Sequence, residues 1–242
     1  PVGWESRLPK PSAVRMDEQS TGLPMRLAAS REAAGLPPQG FVFCCFNNSY
    51  KLTPAMFDIW MRLLRQVPGS VLWLVAGSPA VEANLRREAA SRHIDPARLV
   101  FAPRVPYAEY LARYPLADLF LDTLPFNAGT TVSDALWAGV PVLTCAGDAF
   151  AARMAGSLLH AVGLPELITR SLAEYEALAL RLATDDAVLA LARARLDVKR
   201  ERMPAFDTGR FRKHVESAYF TMCEKTRRGE PPASFAVEPI SG

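Results

Sequence analysis

The residues best equipped for chemistry fall in one stretch, Asn127-Ala128-Gly129-Thr130-Thr131-Val132-Ser133-Asp134. A glycine and two hydroxyl residues at the start of a helix offer free backbone N–H groups, the positive end of the helix dipole and hydroxyl donors, which is what a pyrophosphate needs. A plainer use satisfies the same pattern, with Thr130 or Thr131 merely capping the helix. Asp134, one turn on, lies on the side of the two threonines and can accept hydrogen bonds from ribose hydroxyls, although an acid there also favours the dipole. A second stretch, Asn47-Asn48-Ser49-Tyr50-Lys51, carries a lysine that can meet charge developing on a diphosphate leaving group, or can simply be a surface lysine. In a third, Ala102 to Arg113, two tyrosines (Tyr107 and Tyr110) and two arginines (Arg104 and Arg113) cluster. A ring there can stack on a planar base while nearby backbone reads its edge, or Tyr107, Tyr110 and Tyr114 can simply cover helix and sheet.

What positions these stretches is a repeating unit of short apolar run, loop and amphipathic helix. Phe41 to Phe46 is continuously apolar and closed by Asn47-Asn48-Ser49, as a strand buried on both faces would be. Thr53-Pro54 opens a helix carrying Met56, Ile59, Trp60, Leu63, Leu64 and Val67 at helical spacing, and Pro68-Gly69 stops it. The pattern predicts further strands at Val71–Val75, Leu99–Phe101, Asp118–Asp122 and Pro141–Thr144. Helices are expected at about 79–93, 107–114, 130–138 and 149–160. Such alternation implies an α/β fold with a doubly wound, Rossmann-like parallel sheet, whose ligands sit beyond the carboxyl ends of the strands. That rule selects the loops after Phe46, Val75, Phe101 and Asp122.

Residues 1–40, with six prolines, read as a linker or strap from a preceding domain, and 41–168 as the ligand-binding domain. Helices at about 171–183, 185–202 and 208–226 form a C-terminal extension over 169–228, and 229–242 reads as a loose tail. Phe211, Val215, Ala218, Tyr219 and Met222 share one face of the last helix, so that face is expected to dock on a surface. The chain opens at Pro1 without methionine, as a piece of something longer would.

Composition removes several classes. A formal charge of +3 over 242 residues is too small to argue for nucleic acid, and the arginines of 181–213 are interspersed with acids as on a solvated face. The three histidines are scattered, and the four cysteines lack metal or redox spacing, so no metal is expected and a reduced, cytoplasmic setting is. No apolar stretch nears the ~20 residues needed to span a bilayer. No two glycines stand two apart and no G-K-[ST] occurs, so the fingerprints of dinucleotide and P-loop sites are missing.

Taken together, Gly35-Leu36-Pro37, Phe46 to Lys51, Val67 to Leu74, Leu116-Ala117-Asp118, Leu121-Asp122-Thr123, Gly129-Thr130-Thr131 and Asp134 to Val142 resemble the protein O-GlcNAc transferases and their bacterial relatives. These are glycosyltransferases of the two-Rossmann GT-B plan with tetratricopeptide repeats ahead, and the likeness runs from about Gly35 to Tyr219. It implies that this chain is the C-terminal Rossmann half. The activity implied is inverting, metal-independent transfer of GlcNAc from UDP-GlcNAc to Ser or Thr hydroxyls of proteins, with no cofactor beyond the donor. Lys51 then matches the lysine that binds the diphosphate and supports its departure, Thr130 and Thr131 the phosphate-binding hydroxyls, and Asp134 the ribose carboxylate. Val105 falls where backbone reads uracil, and Arg113 where an arginine borders the nucleotide. Gly129 and Tyr110 stand where the animal enzymes have histidines, Tyr107 where they have lysine and Asn48 where they have glutamine, and Tyr50 lies beside Lys51. A plant relative uses GDP-fucose, so another nucleotide sugar is an alternative donor. A non-catalytic nucleotide-sugar sensor or docking module is a rival reading, and an epimerase or hydrolase on the same sheet another. The acceptor base and much of the acceptor groove are expected in the other half, leaving this chain alone inactive.

Overall fold

The computed structural model describes residues 30–197 and 203–239. Six strands, β1 (Val42–Cys45), β2 (Val71–Val75), β3 (Leu99–Ala102), β4 (Leu119–Leu121), β5 (Val142–Cys145) and β6 (Ile168–Thr169), form one sheet in the order β3-β2-β1-β4-β5-β6. Every pairing is parallel, so each strand is reached by a crossover and the doubly wound expectation holds. The strand order reverses between β1 and β4, which makes the gap beyond their carboxyl ends the natural binding crevice. All four residues of β1 and all three of β4 are buried, as continuous apolar runs in a sheet covered on both faces must be.

The helices begin and end where local chemistry dictates. Thr53 accepts a hydrogen bond from the Met56 N–H at the start of α1 (Pro54–Gln66), and Ser78 from the Val81 N–H at the start of α2 (Pro79–Ser91), each with proline in the first turn. Gly69, at φ 73°, follows α1. Gly139, at φ 83°, follows α4 (Thr130–Trp137); both adopt the left-handed conformation that glycine enters without a Cβ penalty. α3 (Tyr107–Arg113) precedes β4, and α5 (Met154–Ala161) follows a 3-10 turn at Phe150–Ala152, so the single helix expected over 149–160 is broken near Arg153. α6 (Leu172–Thr184), α7 (Asp186–Leu196) and α8 (Thr208–Arg227) complete the chain.

α6 belongs to the core. Tyr175 is fully buried, its hydroxyl donating to the Asp122 carbonyl and accepting from the Trp60 indole N–H. This ties α6 to α1 and to the end of β4. β6 was not expected from the sequence; its two residues pair with the end of β5. The close of the segment read as a strap packs on this same domain, with Leu36 in the core and Arg31 paired with Asp118. α8 differs from expectation. None of its residues is buried; Phe211, Tyr219 and Met222 are exposed and Val215 and Ala218 only partly covered, so among the described residues most of the face that its periodicity marked for docking stands open. The expected helix beyond 197, and residues 1–29 of the strap, lie outside the described residues. No helix among those described is long and apolar enough to cross a membrane.

Candidate nucleotide-sugar site

Two adjoining cavities open beyond the carboxyl ends of the strands, sharing Phe46, Asn48 and Thr131. The first, about 490 Å³, lies over the switch point and is bordered by Tyr50, Lys51, Phe126, Asn127, Gly129 and Thr130. The second, about 320 Å³, is bordered by Val105, Tyr107, Tyr110 and Arg113. Three of the four loops chosen from sequence, those after Phe46, Phe101 and Asp122, thus converge on one cleft. The loop after β2 does not line it; only Val75, the last residue of β2 itself, does. A loop not chosen, after β5, brings Phe150, Ala151 and Met154 to the first cavity, and the Ala151 carbonyl accepts the Asn127 N–H.

At the start of α4 the threonines do not serve as a plain cap. Gly129 is the N-cap and caps with no side chain, while Thr130 and Thr131 are the first two helical residues. Neither hydroxyl is used as a cap. The first helical acceptor bond comes from the Ser133 N–H to the Gly129 carbonyl, which leaves the N–H groups ahead of it facing the cavity end of the helix. Gly129 sits at φ −103°, open to any residue, and a Cβ there would meet only the Met154 methyl at 3.6 Å. Its glycine is therefore not forced by the backbone.

Lys51 closes the short turn Ser49–Lys51 after β1 and reaches across to the other loop. Its ammonium donates to the Asn127 carbonyl at 3.1 Å and lies 4.0 Å from the centre of the Phe126 ring. Each of these contacts sets the ammonium against a neutral partner, whereas a diphosphate oxygen would pair it with a full opposite charge. An incoming diphosphate can therefore capture the ammonium.

Asp134 lies in the second turn of α4, past the region where an acid mainly serves the dipole, and is buried. Its Oδ1 accepts the Tyr107 hydroxyl at 2.8 Å. Burial and this carboxylate push the Tyr107 phenol up to about 12, so it stays a donor. The tyrosines differ in burial. Tyr114 is fully buried and donates to the Thr131 carbonyl, whereas Tyr107 is exposed and stacked on Tyr110 with ring centres 5.9 Å apart. Tyr110 is half-buried and joined to Tyr114 through their hydroxyls. Arg113 is turned to the Pro103 carbonyl, and Arg104 to the Asn48 side chain at the seam of the two cavities. Tyr50 is exposed at the rim of the first cavity.

Beneath the cleft lie two further polar residues, Asp122 and Asn127, whose packing the sequence does not show. Asp122 is fully buried at the end of β4 and accepts from the Ala128 N–H, the Asn47 amide and the Thr144 hydroxyl. Burial pushes its carboxyl up to about 6, against the lowering effect of these donors. Asn127, also buried, donates to the carbonyls of Thr123 and Cys145, while its Oδ1 finds no partner among the described residues.

The glycosyl transferase family 41 model matches residues 14–215. The chain is 39% identical over 208 residues to a probable UDP-N-acetylglucosamine–peptide N-acetylglucosaminyltransferase of Arabidopsis thaliana, covering 86% of this chain and 21% of that protein. It is 37% identical over 205 residues to the UDP-N-acetylglucosamine–peptide N-acetylglucosaminyltransferase of Caenorhabditis elegans, covering 85% and 18%. It thus spans about a fifth of the length of these relatives. Among solved structures, a mutant O-GlcNAc transferase of Thermobaculum terrenum superposes with a TM-score of 0.70 at 34% identity, over 76% of this chain and 36% of that one. The parallel sheet, the cleft at its switch point and these matches agree, and the chain belongs to glycosyl transferase family 41.

Proposed function

We propose that this chain is the donor-binding half of a glycosyltransferase that moves GlcNAc from UDP-GlcNAc to Ser or Thr hydroxyls of proteins. The observation that carries the reading is the convergence of Lys51 and the uncapped start of α4 on the first of two joined cavities at the switch point, with Asp134 buried behind the second and bonded to Tyr107 on its wall. The diphosphate lies in the first cavity, between Lys51 and the N–H groups of α4. The ribose lies against Asp134, and the base reaches into the second cavity beside Tyr107, Tyr110 and the backbone at Val105. Asn48 and Tyr50 border the diphosphate, and Arg113 the nucleoside.

The reaction breaks the bond between the anomeric carbon and the diphosphate oxygen, whose electron pair stays with the leaving UDP. The acceptor oxygen attacks from the opposite face, inverting the anomeric centre, and its proton passes to a base in the preceding Rossmann half. Lys51 and the α4 dipole stabilise the leaving diphosphate, the role that a metal ion fills elsewhere. The acceptor protein, the preceding half with its tetratricopeptide repeats, and a cytoplasmic setting complete the proposal.

Titration of this chain with UDP, UDP-GlcNAc, GDP and GDP-fucose tests it. UDP and UDP-GlcNAc are expected to bind and to raise the unfolding temperature. Preference for GDP-fucose would replace the donor, and indifference to all four would favour a docking module over an enzyme.

A further inference from the structure

Asp122 and Asn47 follow the two strands that flank the switch point, and both are buried, at 0% and 4% exposure. The direction of every proton around them can be worked out. The Thr123 hydroxyl donates to the Phe126 carbonyl at 2.7 Å, so toward Asn47 it can only accept. An ionised Asp122 can only accept as well. The Asn47 nitrogen, 2.8 Å from the Thr123 hydroxyl and 3.3 Å from Asp122 Oδ1, is therefore the end that faces them. Its oxygen is left to face Thr131, whose hydroxyl, 2.6 Å away, must donate to it. The proton of Thr131 is thus committed inside the protein.

We propose that Asp122 and Asn47 are positioning residues, a buried strut that holds the Lys51 loop and the start of α4 at the separation a diphosphate requires. The Thr131 hydroxyl belongs to this strut, which leaves the Thr130 hydroxyl and the free N–H groups of α4 for the ligand. The strut rests on the nucleotide-sugar reading of the same site. Asn47 connects the loop bearing Lys51 to α4, Asp122 anchors Asn47 and the Ala128 N–H together, and Thr144 fixes the other carboxylate oxygen at 2.7 Å. A carboxylate kept in so buried a place costs stability when ionised, which points to a use other than folding.

Asp122→Asn keeps the shape. Its amide oxygen can accept from Ala128 and Asn47, and the Thr144 hydroxyl can turn to accept from its nitrogen. The variant is expected to bind UDP about tenfold more weakly, the loss of a charge-assisted anchor, while its unfolding temperature near neutral pH is no lower. A double-mutant cycle sharpens this. Thr131→Val weakens UDP binding in the natural chain but adds nothing to Asn47→Ala, whereas Thr130→Ala weakens it equally in both backgrounds. Calorimetric titrations with UDP and with GDP read all the variants. If the natural chain binds one of them and Asp122→Asn binds it as well, or if Thr131→Val and Asn47→Ala add independently, the strut is overturned while the site reading stands. If the natural chain binds neither, the site reading falls and the strut with it.

Discussion

Where the diphosphate is proposed to lie, the groups that would hold it hang from buried polar chemistry: Lys51 from the turn after Asn47, and α4 from Asp122 through the Ala128 N–H. At the base end they stand on α3, a seven-residue helix without a buried residue, and Tyr107 is 61% exposed. One end is anchored by buried polar groups at the strand ends; the other, less deeply packed, is the end with more room to adjust. A diphosphate is the same in UDP and GDP sugars, so its site can be rigid and pre-aimed, whereas the end that reads the base must suit one nucleotide. The departures at Tyr107 and Tyr110 fall at that adjustable end, and the departure at Gly129 lies where a side chain is sterically admissible.

The comparison breaks most visibly at Lys51. Lys51→Met is expected to lower transfer by roughly 10²- to 10³-fold, the scale of losing one preorganised group at a developing charge. Its ground-state contacts, a carbonyl and an aromatic ring, are weak, so the unfolding temperature should hardly move. Transfer rates with the proposed preceding half present, alongside a melting curve, provide the measurement. Undiminished transfer would remove Lys51 from the mechanism.

Next in size is the cost of the anchor. The Asp122 carboxyl is pushed from 3.8 to about 6 in the folded chain, so folding takes up a proton between those values. The stability this group contributes is fully present below pH ~4 and is lost as pH rises through about 6, on the order of 3 kcal/mol for a shift of about two units. Because other carboxylates titrate in the same window, the difference in unfolding free energy between the natural chain and Asp122→Asn is the quantity to follow. It should grow in favour of the variant from pH ~4 to ~6 and then level off. A flat difference would mean that the carboxyl is not desolvated as the structure implies.

How much of this could be read beforehand follows the same division. The strands and helices were legible because apolar runs are punctuated by Thr53-Pro54, Pro68-Gly69 and Gly139, where the chain's own stereochemistry decides. Lys51, Thr130, Thr131 and Asp134 were legible as chemistry at strand ends, and they do line or adjoin one cleft. The strut was not legible. Asn47 is indistinguishable from Asn48 in a polar loop until the pairing of β1 with β4 sets it beside Asp122. Phe150 and Met154 were passed over because choosing loops at the strand ends needs the strand order, which a single sequence does not state. β6, with two residues, is too short for any periodicity to show, and α8 displays an apolar face whose cover is not among the described residues.

Asp134→Ala should weaken UDP binding roughly tenfold or somewhat more, the worth of hydrogen bonds from ribose hydroxyls to a charged acceptor. It should also erase discrimination between UDP and its 2′,3′-dideoxy analogue, which has no hydroxyls to offer. If the variant still prefers UDP to the dideoxy compound, the ribose lies elsewhere.

The smallest effect is expected at the adjustable end. Tyr107 donates one hydrogen bond to Asp134 Oδ1 and is otherwise largely exposed, so Tyr107→Phe removes an orienting contact and little packing. A carboxylate has about four acceptor sites, and the tyrosine uses one, leaving room for two ribose hydroxyls. The tyrosine therefore steadies Asp134 rather than competing with the ligand. Its loss should weaken UDP binding only about three- to fivefold, the scale of one modest hydrogen bond, and leave the melting temperature in place. Tighter binding by the variant would reverse this reading. It would mean that Tyr107 occupies the ribose acceptor in the empty cleft and must be displaced, making the base end a gate rather than a support.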